Sequence, residues 1–202
     1  QATIDSGKIF DPNFYYSAAH CFGGSWIMIP GLLIFGVSMT AVKFGMFLFF
    51  LLLTGAIFLF CKALRFSNRW TFFSIFVILS TLLCSVKLRE IFFQHIIYYS
   101  LGNFHMLIGI SLLILFLQHK NSSKGKWFGI ALFIWSILCC TNGLESLVFY
   151  AVPILLSFGI QTLTEKSPFS KSAFLRSNLA TFVWLFFACT TGFVLGRILS
   201  AN

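Results

Sequence analysis

Six stretches of nearly unbroken apolar sequence, at 44–61, 70–86, 101–118, 127–142, 147–163 and 178–196, constrain this chain more than any other feature. A helix crosses the hydrocarbon of a bilayer with about 20 apolar residues, and each stretch approaches that length. Charged residues make up 9% of the chain and apolar ones 58%, where a soluble domain carries about 25% charged residues. So few polar side chains cannot cover the fold, and lipid must cover much of it. The sequence therefore predicts an all-α, polytopic transmembrane helix bundle of about six spans plus interfacial helices. Residues 1–25 are expected to be an external loop segment, and 26–202 one transmembrane helical domain with no internal repeat. The chain opens on Gln1 with no leader-like segment before its first apolar run, and it is expected to be part of a longer one.

The net charge of +9 would suggest nucleic acid in a soluble protein. Here the basic residues sit between apolar stretches, so no nucleic acid is expected and membrane lipid is the expected neighbour. One alternate set of loops holds Lys62, Arg65, Arg69, Lys120, Lys124, Lys126, Lys166, Lys171 and Arg176, opposed only by Glu165. The other holds Lys8, Lys43, Lys87, Arg89 and Arg197 with Asp5, Asp11, Glu90 and Glu145, nearly balanced. Lys and Arg resist translocation, so the first set is assigned to the cytoplasm and the second faces outward. Trp26, Trp70 and Trp127 stand at the edges of apolar runs, where indole rings prefer the headgroup level.

Two segments read as lying outside the regular spans. Residues 26–42 are interrupted by Pro30, Gly31 and Gly36, and are expected to form a helix at or dipping into the outer interface, with a further span as the alternative. KLREIFFQHIIYYS, from Lys87 to Ser100, gathers Ile91, Phe92, Ile96 and Ile97 on one helical side and is expected along the outer surface. Cys61, Cys84, Cys139, Cys140 and Cys189 read as small core hydrophobes, and Cys21 lies alone in a polar segment. No cofactor or metal site follows from these spacings.

Acid-base chemistry has only Asp5, Asp11, Glu90, Glu145 and Glu165 to draw on, four of them on the outward side. The richest patch is DPNFYYSAAHCFGGSWIMIP, residues 11–30. Asp11-Pro12-Asn13 reads either as a turn or helix cap, as Asp before Pro often is, or as part of a site at the membrane surface. His20 and His95 are solvated bystanders or helpers. His105 lies inside an expected span, where an ionisable ring is costly unless it turns toward the bundle interior, to line a site or to bond a backbone carbonyl. Glu145 and Asn142 read as caps of an outward turn.

Asp11, Tyr15, Ala18-Ala19, Gly23-Gly24, Trp26 and Pro30 resemble the first external loop of the GT-C superfamily of membrane glycosyltransferases, in the branch of protein O-mannosyltransferases and aminoarabinose transferases. The following stretch to Arg69 resembles that family's interfacial helix, span and basic cytoplasmic turn. LCCTNGLESLVFYAVPILLSF resembles its later outward turn, with Asn142-Gly143 where Lys-Gly is frequent. Pro12 stands where the family has a second acid, and Asn103 and His105 where it often carries another.

The resemblance implies transfer of a sugar from a polyprenyl-phosphate donor at the outer face, with a multi-pass chain whose N-terminal segment and active site are non-cytoplasmic. Asp11 is then the general base, with Asp5 as second choice, and Tyr15, His20, Lys87, Arg89 and His105 are the substrate-binding residues. Lys43 is a further cation on that side. The competing readings are a multi-pass transporter, for which the breaks at Pro30, Gly36 and Pro153 would mark a substrate pathway, and a noncatalytic assembly subunit, to which Pro12 in place of an acid would be natural.

Overall fold

The structure is a computed structural model describing residues 24–90, 100–120, 122–157 and 168–201. Every regular element among them is helical: α1 (Gly24–Phe35), α2 (Met39–Ala63), α3 (Asn68–Cys84), α4 (Val86–Arg89), α5 (Leu101–Gln118), α6 (Ser123–Cys140), α7 (Leu144–Ser146), α8 (Leu147–Ser157) and α9 (Pro168–Ala201). Among the described residues, three stretches are long and apolar enough to cross a membrane: α2, α5 and the Leu179–Ile198 part of α9. The other expected spans fall short of that measure. The 17 residues of α3 reach about 25 Å at ~1.5 Å per residue, α6 opens with Lys124 and Lys126, and α8 is described only to Ser157.

The segment expected at the outer interface is divided: its first part lies in α1, which folds back along α2, and residues 39–42 open α2 itself. Gly36 adopts φ 62° and ends α1 in the left-handed conformation that glycine reaches without steric cost. Ser38 then serves both helix ends. Its Oγ donates to the Phe35 carbonyl at 3.1 Å and accepts the Ala41 amide at 3.2 Å. The two backbones approach closely because their contact positions are glycines: a Cβ on Gly31 would meet the Ala41 carbonyl at 2.6 Å, and one on Gly45 would strike the Met28 sulfur.

Contacts between helices give their directions. α2 and α3 run antiparallel, joined by a turn in which Arg65 takes φ 62°. There the Phe66 amide bonds the Cys61 carbonyl at 3.0 Å and the Arg65 amide bonds Lys62 at 2.9 Å, the paired closure usual at a glycine-terminated helix, with arginine in glycine's place. α5 is parallel to α2, since Phe49 meets Phe104 and Gln118 reaches Ala63. α6 returns antiparallel to α5, with His105 against Trp135 and Gly129 against Phe116. α9 runs parallel to α6.

The helix ends therefore sort into two ends of one bundle. The first end holds Lys43, α4 with Lys87 and Arg89, the start of α5, the α6–α8 turn and Arg197; the second holds the α2–α3 and α5–α6 turns. Lys62, Arg65, Arg69, Lys120, Lys124 and Lys126 all fall at the second end, and both acids in the described segments, Glu90 and Glu145, fall at the first. The described members of the two loop sets separated by charge in the sequence are thus separated in space.

Two apolar clusters fill the bundle. One joins α1, α2 and α5 through Ile27, Phe49, Leu53, Ile57, Leu101 and Phe104. The other joins α5, α6, α8 and α9 around Leu113, Leu132, Cys139, Tyr150, Leu185 and Cys189. Trp135 packs against both. Cys61, Cys139, Cys140 and Cys189 are buried as expected, but Cys84 is exposed at the end of α3, which packs on the core only through the half-buried Ile75, Leu79 and Leu82 and buries Thr71. Trp70 and Trp127 are exposed near the starts of α3 and α6, at the second end.

Candidate functional site

The first end of the bundle has a polar interior. Ser100, His105, Ser136, Thr141, Asn142 and Ser146 are buried there, from α5, α6 and the turn that follows it. His105 lies one turn into α5 and is 2% exposed, so the ring does turn inward, as the cost of leaving it in lipid requires. It packs edge-on against Trp135, with ring centroids 5.6 Å apart, beside Phe104 at 5.8 Å. The Trp135 indole N–H donates to the His105 main-chain carbonyl at 3.1 Å, fixing α6 against α5 at that level.

One turn deeper, Tyr150 fills the space left by Gly109; any Cβ there would run into its ring. The hydroxyls of Tyr150 and Ser136 are 2.7 Å apart, and Ser136 also donates to the Leu132 carbonyl at 2.8 Å, so the tyrosine is the donor of the pair. Tyr150 comes from the π-helical turn Leu147–Ala151 that opens α8. Pro153 follows that turn; it can neither donate into the helix nor tolerate the carbonyl one turn back, and one wide turn relieves the crowding.

This pair makes a stability prediction. Removing the acceptor in Ser136→Ala leaves a buried phenol O–H unsatisfied, whereas Tyr150→Phe leaves Ser136 its bond to Leu132. Ser136→Ala should therefore cost more, up to about 1.7 kcal/mol, than Tyr150→Phe at roughly 0.6 kcal/mol. Unfolding in mixed detergent micelles reads the difference, and equal or inverted costs would contradict this assignment of donor and acceptor.

Lys87 and Arg89 lie on α4 at the same end, both exposed. Lys87 Nζ is 3.5 Å from the Glu90 carboxylate, an exposed pair three residues apart and hence a weak one. Lys43 is exposed in the early turns of α2. Asp11, Asp5, Tyr15, His20 and His95 lie outside the described residues, as does the Glu145 side chain. At the outward turn the residue preceding α7 is Gly143, with φ 81°, and Asn142 is buried. Among the described residues no three His, Cys, Asp or Glu side chains gather as metal ligands would.

Trp135, Ser136 and Tyr150 had no signal of their own in the sequence, since an aromatic or serine inside an apolar run looks like any core position. Only Gly109 and Pro153 hinted at irregular packing. Fold and burial together describe a helical membrane protein in which most described buried polar groups lie toward the first end, with Ser111 midway and Thr71 and Thr181 toward the second. Comparison with protein-family models, with curated proteins and with solved structures yields no match.

Proposed function

We propose that the chain is an integral membrane glycosyltransferase that crosses the bilayer six times and moves a sugar from a polyprenyl-phosphate donor to an acceptor hydroxyl on the non-cytoplasmic side. The observation that carries this reading is the polarity of the bundle. Lys87, Arg89 and His105 fall at the end with the buried polar interior, and the basic turns at the opposite end. An external site and a cytoplasmic basic face need that separation.

On this reading the donor's lipid tail lies among the helices while its phosphate and sugar sit at the first end. Asp11 takes the acceptor's proton as the oxygen attacks the anomeric carbon, and the bond to phosphate breaks with its electrons leaving on the phosphate. Lys87 and Arg89 balance that charge. Lys87 can exchange Glu90 for phosphate because their exposed pair is weak. Tyr15 and His20 contact the sugar or acceptor, and buried His105 supports the floor of the site.

The direct test is sugar transfer by the full-length protein in proteoliposomes supplied with polyprenyl-phosphate sugars. Absence of transfer across the common hexose and aminopentose donors would sink the reading. A carrier is the second reading, favoured by the break at Gly36 between α1 and α2, like the interruptions in the discontinuous helices of transporters. Uptake of solute into sealed vesicles without consumption of a lipid-linked sugar would decide for it.

Orientation has a separate test. With Cys21 and Cys84 both changed to serine, cysteines introduced at the exposed positions Val86 and Leu144 should react with an impermeant maleimide from outside the cell. Cysteines at Phe66 and Ser122 should react only after the cytoplasmic face is opened. The reverse pattern would remove the external site.

A further inference from the structure

Two basic turns far apart in sequence lie side by side at the second end. The Gln118 side chain donates to the Ala63 carbonyl at 2.9 Å, tying the end of α5 to the end of α2. Arg65 follows Ala63 by two residues, and Lys120 follows Gln118 by two. Lys124 and Lys126 are held to the same turn, because Gly125 lies against the His119 carbonyl so closely that a Cβ would not fit. Ser122 closes the turn, donating to His119 at 2.8 Å and accepting from Gly125 at 3.3 Å.

The first turn is equally constrained. Lys62 Nζ bonds the Phe66 carbonyl at 3.3 Å and the Asn68 side chain, which holds the loop shut. Its apex position, where glycine is the unstrained choice, carries Arg65 instead. Arg65, Arg69, Lys120, Lys124 and Lys126 are exposed. Trp70 follows Arg69 and Trp127 follows Lys126, 64% and 71% exposed, so an indole of the kind that settles at headgroup level flanks each basic group.

We propose that this end of the bundle is a docking surface for an acidic phospholipid carrying two phosphates, one met by each basic turn. A headgroup with two phosphates matches two adjacent cationic turns better than a singly charged lipid, and the flanking indoles hold both turns in its plane. The inference does not depend on the transferase reading, because it concerns the opposite end of the molecule.

The test uses the full-length protein in phosphatidylcholine nanodiscs doped either with diphosphatidylglycerol or with phosphatidylglycerol at equal total charge, followed by native mass spectrometry of retained lipid. Preferential retention of the two-phosphate lipid is expected. Each charge removed from the turns should weaken it roughly fivefold, so Arg65→Gly lowers occupancy by that factor and Arg65→Gly with Lys124→Gln by roughly 25-fold. Arg65→Gly relieves the left-handed backbone, so its thermal midpoint should be unchanged or higher, separating lost binding from lost folding. Arg197→Gln, at the other end, should leave retention unchanged. Equal retention of the two lipids, indifference to the double variant, or an equal loss in Arg197→Gln would each overturn the proposal.

Discussion

Asparagine in place of Asp11 should reduce glycosyl transfer by roughly 10²–10⁴-fold, the usual contribution of a positioned general base, while expression and membrane insertion stay at wild-type levels. The substitution keeps shape and hydrogen-bonding capacity but removes the group able to accept a proton. The loss should appear in kcat, with KM for the lipid-linked donor little changed, because the carboxylate acts on the acceptor hydroxyl. Asp5→Asn is the internal comparison: if Asp5 is the base, the large loss moves to that variant. Full transfer by both single variants would overturn the assignment of the base to the external loop, where Asp5 and Asp11 are the only acids ahead of Glu90 in the sequence.

The largest structural effect is expected at the contact between α6 and α9. Ala188, Gly192 and Gly196 recur every four residues along one side of α9, and Gly192 and Gly196 lie against the backbone carbonyls of Ile137 and Thr141. A Cβ on either would collide with main chain, which cannot rotate aside as a side chain can; at Gly192 it would also come within 2.9 Å of the Cys140 Cβ. In lipid, close packing of this kind is a main source of helix association, because no hydrophobic gain remains from leaving water. Gly192→Val combined with Gly196→Val should therefore separate the two helices, each substitution costing about 1–3 kcal/mol, and expose buried Cys140 and Cys189 to thiol reagents in detergent. Gly55→Ala on α2 provides the contrast. Nothing lies within 4 Å of its added Cβ, and the better helix propensity of alanine should leave stability unchanged or raise it by up to about 1 kcal/mol. A double valine variant as stable as the wild type would show that the α6–α9 contact is looser than described.

Much of the architecture was legible because it rests on local physics. Long apolar runs need helices in lipid, and Gly36 marks a break through its turn conformation. Burial of His105 was legible for the same reason, as lipid penalises an ionisable ring. What could not be read was how stretches pair. Gly31, Gly45, Gly109, Gly192 and Gly196 look alike in sequence, yet each fits a different neighbour. Segment 26–42 looked like an interfacial helix because its length and breaks were visible, whereas the glycines that seat it on α2 needed α2 in place. Cys84 was misread as core because an apolar residue at the end of a run carries no sign of which side faces a neighbour.

By itself, the sequence determined that the chain is helical and lipid-covered and that its basic and balanced loops alternate, because apolar length and charge act on each segment separately. Only the tertiary structure decided that Gln118 brings the two basic turns together and that Trp135 joins two cores beside His105. It also decided that Tyr150 and Ser136 complete a buried hydrogen bond. These depend on which helices run parallel and how closely glycines let them approach, and that is settled by packing between segments distant in the chain.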